Sequence, residues 1–172
     1  MNNSLNNLTL LVCGGTLDKD YDPLTGELTF SQSHLPKLLA EANHTLNITL
    51  TNVMLKDSLA MNDADRERVY QACSAAINSK IVITHGTDTM PHTAAYLAER
   101  IDQLKNKTLV ITGAMRPFQL GQSDASFNLG SALMAAQLLP AGVYIAMNGQ
   151  IFLANQVQKD RSRGVFVTDL HT

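Results

Sequence analysis

Short apolar runs punctuate the chain and alternate with stretches of helical spacing. The runs are Leu8 to Cys13, Leu46 to Val53, Ile81 to Thr84, Thr108 to Thr112 and Val143 to Met147. Each is short and rich in β-branched residues, the pattern of strands buried on both faces of a parallel sheet. Between the second and third runs, Val69, Ala72, Cys73, Ala76 and Ile77 repeat at helical spacing behind the capping pair Asn62-Asp63. Met90-Pro91 opens a second helix reaching about Ile101, with the proline in the first turn where its missing N–H is harmless. Ser123-Asp124 opens a third, which runs to Leu139 and stops at Pro140-Ala141-Gly142. A weaker helix spans about His34 to Asn43, and the segment from Gln150 onward reads as added strands with a hairpin around Val165-Phe166-Val167. Strand and helix alternate, so the expected fold is α/β. It has three layers, Rossmann-like or flavodoxin-like, with a mostly parallel sheet and helices on both faces.

That pattern has a consequence for chemistry. In open α/β sheets, ligands bind outside the carboxyl ends of the strands. The polar segments follow the runs: Gly14-Gly15-Thr16, then Lys56-Asp57-Ser58, His85-Gly86-Thr87-Asp88, Gly113-Ala114-Met115-Arg116 and Asn148-Gly149. A parallel sheet would put all of them on one rim. Gly14 and Gly15 permit a sharp turn that presents the Thr16 hydroxyl, with neighbouring N–H groups available to an oxyanion; the plainer alternative is a tight turn with a surface threonine. No helix follows at once and G-x-G-x-x-G is absent, so this is not a dinucleotide fingerprint, and it lacks the Gly-Lys-Ser/Thr ending of a P-loop.

Thr16 to Phe30 is poor in apolar residues and holds Asp18, Asp20, Tyr21, Asp22, Pro23 and Gly26. It reads as a mobile loop or hairpin over the rim, a lid able to exclude water. Tyr21 there either relays a proton from Thr16 or is an exposed turn tyrosine. Asp88 and Thr89 suit helix capping, which is the ordinary reading for Asp at that place. The functional alternative gives Asp88 a substrate ammonium and lets Thr87 position a nucleophile or water. Ser58 either grips a carboxylate or initiates a turn. His85 and His92 do not have zinc-ligand spacing and read as structural histidines. Lys159 sits among charges in Gln158-Lys159-Asp160-Arg161, the pattern of a surface lysine. Folded back against Thr87 it would lose solvation, and a neutral lysine can deprotonate a hydroxyl.

Composition narrows the partners. The chain has 172 residues, is 45% hydrophobic and 16% charged, and carries a net charge of -2, so it suits one globular domain covering 1–172. No basic block supports binding to nucleic acid or an acidic membrane, and no run approaches a membrane span. Cys13 and Cys73 are too few for a disulfide framework or a thiolate metal site, and Cys13 reads as a reduced, buried thiol. The first residues show no secretory signal, so a cytoplasmic location is expected.

Four strings then carry a resemblance: Gly14-Gly15-Thr16-Leu17, Ile83-Thr84-His85-Gly86-Thr87-Asp88-Thr89-Met90, Thr112-Gly113-Ala114-Met115-Arg116-Pro117 and Phe127-Asn128-Leu129. In order and spacing the sequence resembles the bacterial-type asparaginase and glutaminase-asparaginase family over almost its whole length. The resemblance implies hydrolysis of L-asparagine to L-aspartate and ammonia through a threonine acyl-enzyme, with no metal and no cofactor. It implies Thr16 as nucleophile, Tyr21 as the assisting lid tyrosine, and Thr87, Asp88 and Lys159 as a second catalytic group. Gly15, Asp57, Ser58, Thr87 and Asp88 would bind substrate, Ser58 at the α-carboxylate and Asp88 at the α-ammonium. It also implies a homo-oligomer, dimer or tetramer. Most members carry a second, C-terminal domain, and this sequence matches only the N-terminal one, like the short single-domain asparaginases. Leu59-Ala60 stand where many long members have polar residues, and Asp160 stands where many have a hydroxyl. The alternatives are hydrolysis of glutamine or another amide, and a non-catalytic amino-acid-binding module.

Overall fold

A computed structural model describes residues 7–169. Its centre is a six-stranded sheet. Strands β1 (Asn7–Gly14), β4 (Asn47–Lys56), β5 (Lys80–Thr84), β6 (Thr108–Thr112) and β7 (Gly142–Met147) run parallel, and β8 (Gln150–Leu153) returns antiparallel on β7. The spatial order is β4-β1-β5-β6-β7-β8. Counting only the parallel strands, this is the flavodoxin-like 2-1-3-4-5 order, whose direction reverses between β1 and β5. The fold is thus the three-layer α/β architecture that the alternation of runs and helices implies.

Alternate strand residues point to opposite faces, and both faces are covered. Leu11, Cys13, Ile81, Ile83, Ile111 and Ile145 pack beneath α2 (Asp63–Ala75) and α3 (Met90–Ala98). Leu10, Val12, Val82, Val110 and Ala146 pack beneath α1 (Leu35–Glu41) and α4 (Ala125–Leu138). Asn62 caps α2 in a reciprocal box: its side chain accepts the Asp65 N–H at 3.1 Å while Asp65 accepts the Asn62 N–H at 3.0 Å.

The structure differs from the pattern at several helix ends. The α2 helix stops at Ala75, and Ala76 turns to extended backbone, leaving Ile77 fully exposed. Lys107 ends it from β6's side, donating to the carbonyls of Cys73 at 2.6 Å and Ala76 at 2.5 Å. A charge reaching across from another element satisfies the orphan carbonyls, which helical spacing in the sequence cannot register. The α3 helix likewise ends at Ala98, and Ile101–Leu104 form a separate 3-10 turn.

Residues Lys19 to Phe30 fold as a hairpin, β2 (Lys19–Tyr21) against β3 (Leu28–Phe30), one of the two forms expected for this segment. The tail adds a second ribbon, β9 (Val157–Asp160) paired antiparallel with β10 (Val165–Thr168). Among the described residues, no helix is long and apolar enough to cross a membrane. Cys13 and Cys73 are free and buried; burial raises both thiols, Cys73 up to about 12.

Candidate active site

The rim is assembled where the strand order reverses. Gly14 and Gly15 both have positive φ, and the Gly15 N–H donates to the Lys56 carbonyl at 3.0 Å. A Cβ on Gly15 would collide with the Gly86 backbone, and a Cβ on Gly86 would collide with Ser58. The turns after β1, β5 and β4 are therefore in close contact, and only glycine lets them approach so closely. Thr16 opens a 3-10 helix, Thr16–Asp18, on one side of this contact, and Thr87 follows Gly86 on the other. Thr16 is half-buried, and Leu17, Asp18, Ser58 and Thr87 are buried.

Lys159 comes to this rim. Its Nζ donates to Thr87 Oγ1 at 2.8 Å and to Asp88 Oδ1 at 2.9 Å, and its side chain is only 13% exposed. The charge-rich pattern around it suggests a surface lysine; the β9–β10 ribbon overrides that pattern by carrying residue 159 back over α3's start. Asp88 consequently does not cap α3. Its carboxylate is engaged by the Lys159 ammonium, and the N-cap position falls to Thr89, which makes no side-chain capping bond either. Thr89 instead clips the β4 turn: its hydroxyl donates to the Ser58 carbonyl at 2.8 Å, and its N–H donates to Ser58 Oγ at 3.4 Å.

His85 is a structural histidine, fully buried. Nδ1 faces the Gly86 carbonyl at 2.7 Å, which fixes the proton there, and Nε2 accepts from the Thr93 hydroxyl at 2.9 Å. Burial pushes its pKa down to about 4. Among the described residues, no group of three or more His, Cys, Asp or Glu side chains is arranged to hold a metal ion.

The Thr16 side is built differently. Lys19 forms an ion pair with Asp57, joining the first residue of the flap hairpin to the turn that carries Ser58. That hydrogen bond holds the Asp57 carboxyl below its ordinary range, and the Leu59 N–H contributes in the same direction. Tyr21 is 53% exposed, and its hydroxyl has no partner among the described residues. It does not reach Thr16 in this conformation.

Sequence reasoning missed several residues that organise the rim. Asp18, fully buried two residues after Thr16, accepts the Ser33 hydroxyl at 2.9 Å and the His34 N–H at 2.8 Å, and burial raises its pKa. Asp124 accepts the N–H groups of Met115 and Arg116, which shapes the loop after β6. Asn128 donates to the Gly113 carbonyl at 3.0 Å and to Asp124 at 2.9 Å. At the other end of β1 lies a cavity of about 240 Å³ lined by Thr9, Leu11, Thr49, Thr51 and Asn78. Its lining has no ionisable side chain.

The family model for the asparaginase N-terminal domain matches residues 7–166. The chain belongs to the asparaginase family. It is 34% identical, over 99% of its length, to one component of the glutamyl-tRNA(Gln) amidotransferase of Methanococcus vannielii. It is 30% identical, over 90% of its length, to the glutaminase-asparaginase of Acinetobacter glutaminasificans. It spans 40% of the former and 50% of the latter. Among solved structures, the thermostable L-asparaginase from Thermococcus kodakarensis superposes with a TM-score of 0.82 at 29% identity. That match covers 94% of this chain and 51% of the other.

Proposed function

We propose that this chain hydrolyses L-asparagine to L-aspartate and ammonia through an ester on Thr16. The observation that carries the reading is the Lys159 ammonium shared between Thr87 Oγ1 and Asp88 Oδ1, across the Gly15–Gly86 contact from Thr16. A carboxamide bound there has a hydroxyl on each side. An amide is a poor electrophile, and dividing the reaction into acylation and deacylation lowers each barrier.

In this reading the Ser58 hydroxyl holds the substrate α-carboxylate and Asp88 its α-ammonium, with Gly15 and Asp57 completing the binding wall. The Thr16 oxygen attacks the carboxamide carbon as its proton passes to the Tyr21 oxygen, brought in by the β2–β3 flap, while the Tyr21 hydroxyl hands its own proton on to the leaving nitrogen. Ammonia leaves with a proton, and a water directed by Thr87 and Lys159 then hydrolyses the ester. The first N–H groups of the 3-10 helix at Thr16 have no partner within that helix and are suited to the oxyanion. Losing one such donor typically costs about 3–4 kcal/mol.

The likeness to an amidotransferase component favours a second reading, in which the same hydrolysis supplies ammonia to a partner protein. A panel of asparagine, glutamine and other amides with coupled ammonia detection tests the proposal. Asparagine turnover that disappears in Thr16→Ala supports it. Full activity in that variant removes Thr16 from the nucleophile role, and saturable asparagine binding by calorimetry without ammonia release favours a binding module.

Assembly into a dimer or tetramer is part of the proposal. Phe127, Met134 and Leu138 on α4 and Ile151 and Leu153 on β8 are exposed apolar side chains, the kind of surface that contacts between protomers cover. Analytical ultracentrifugation reads the outcome directly, and a monomer at working concentration contradicts it.

A further inference from the structure

Among the described residues, the ribbon that brings Lys159 to the rim belongs to no larger sheet: β9 pairs only with β10, in a two-stranded unit, and an isolated ribbon of that size is marginal in water. Val157 and Phe166 sink into the core beneath it. Apolar packing is non-directional, so it does not set where the ribbon lies along the rim to the accuracy that a 2.8 Å contact at the end of a flexible lysine requires.

A directional tie is present. β7 turns into β8 through Asn148 and Gly149, with φ of 55° and 75°, and Met147 pairs with Gln150 across the turn. This is the two-residue hairpin that Asn-Gly favours. The Asn148 side chain does more than form the turn. Its Oδ1 accepts the Phe166 N–H at 2.9 Å. Phe166 is the residue directly opposite Lys159 in the antiparallel register, so this N–H is spent on Asn148 and the tie falls at the register position of the lysine. Asn148 is itself held, because its N–H donates to Asn128 Oδ1 at 3.3 Å. Asn128 in turn bonds Gly113 and Asp124 at the start of α4. Hydrogen bonds therefore run without a break from the loop after β6 to the backbone opposite Lys159.

We infer that Asn148 is a positioning residue that sets the Lys159 ammonium against Thr87 and Asp88 through the Phe166 backbone. The effect on turnover rests on the proposed amide hydrolysis; the effect on the lysine does not. Misplacing a group by about 1 Å can cost about 10²-fold in rate, so loss of this tie affects kcat rather than substrate binding.

Two substitutions separate the tie from the turn. Asn148→Gly keeps the positive φ and deletes the acceptor. Asn148→Asp keeps an acceptor oxygen on a residue that also tolerates left-handed backbone. Asparagine kinetics and site-resolved acylation of Lys159, read by mass spectrometry at one fixed pH, are measured on wild type and both variants, with thermal unfolding alongside. The expected result for Asn148→Gly is a fall in kcat of about 10- to 10²-fold. KM stays within about twofold, and Lys159 acylates several-fold faster. Asn148→Asp recovers most of both. Unchanged Lys159 acylation in Asn148→Gly overturns the inference, whether or not stability falls. A wild type that releases no ammonia refutes the proposed hydrolysis, and the acylation arm still decides the role of Asn148.

Discussion

The two sides of the rim are built to different standards. On the Thr87 side the polar groups have fixed partners: Lys159 bridges Thr87 and Asp88, His85 holds the Gly86 carbonyl, and Thr89 clips the Ser58 turn. On the Thr16 side the proposed nucleophile begins a three-residue helix, and Tyr21 stands in solvent at the end of a short strand. The base of that flap is fixed, by the Lys19–Asp57 ion pair and by buried Asp18. In the proposed reaction, the groups given to deacylation are preorganised, whereas those given to acylation would be completed by closure of the flap, which would also exclude water.

Substitutions on each side sharpen this contrast. Thr16→Ala gives the largest effect, a loss in kcat of about 10³-fold or more with unchanged circular dichroism; ammonia release checks it. Lys159→Met keeps the length of the side chain and removes the charge. It is expected to lower kcat by about 10²- to 10³-fold and to leave acylation as the faster step, seen as a burst of ammonia in rapid-quench kinetics. No burst would place Lys159 in the first step. Tyr21→Phe, at an exposed position, is expected to lower kcat by about 10²-fold without altering the unfolding midpoint. A variant that turns over like wild type would remove the flap tyrosine from the chemistry.

The smallest effect is on stability. His85 has a folded pKa of about 4 against an ordinary value of 6.5. Between those values the unfolded chain binds the proton more readily, so its contribution is present above pH 6.5 and is lost as pH falls toward 4. The slope is at most about 1.4 kcal/mol per pH unit. Urea unfolding across that window checks it, and His85→Asn should flatten the curve.

Much of the fold is legible in the sequence because buried parallel strands leave continuous apolar runs, and capping residues mark helix starts. The layered architecture follows from the alternation, and the rim from the strand ends. What could not be read shares one physical cause: contacts between segments distant in sequence. Asp88 looks like a helix cap until Lys159, separated by 71 positions, takes its carboxylate. Lys159 itself looks solvated, because nothing local records the β9–β10 register. Ile77 continues a helical period that Lys107 cuts short from the segment leading into β6. Asn148-Gly149 carries a readable turn signal, and its side-chain tie to Phe166 is not readable, since it depends on where the ribbon docks.

The central claim is that Thr16 carries the ester while Thr87, with Lys159, serves its removal. Peptide mapping of Lys159→Met quenched soon after mixing with L-asparagine tests it most directly. An aspartyl ester on Thr16 is the predicted result. An ester on Thr87, or rapid ammonia release with no covalent adduct at any residue, would contradict it.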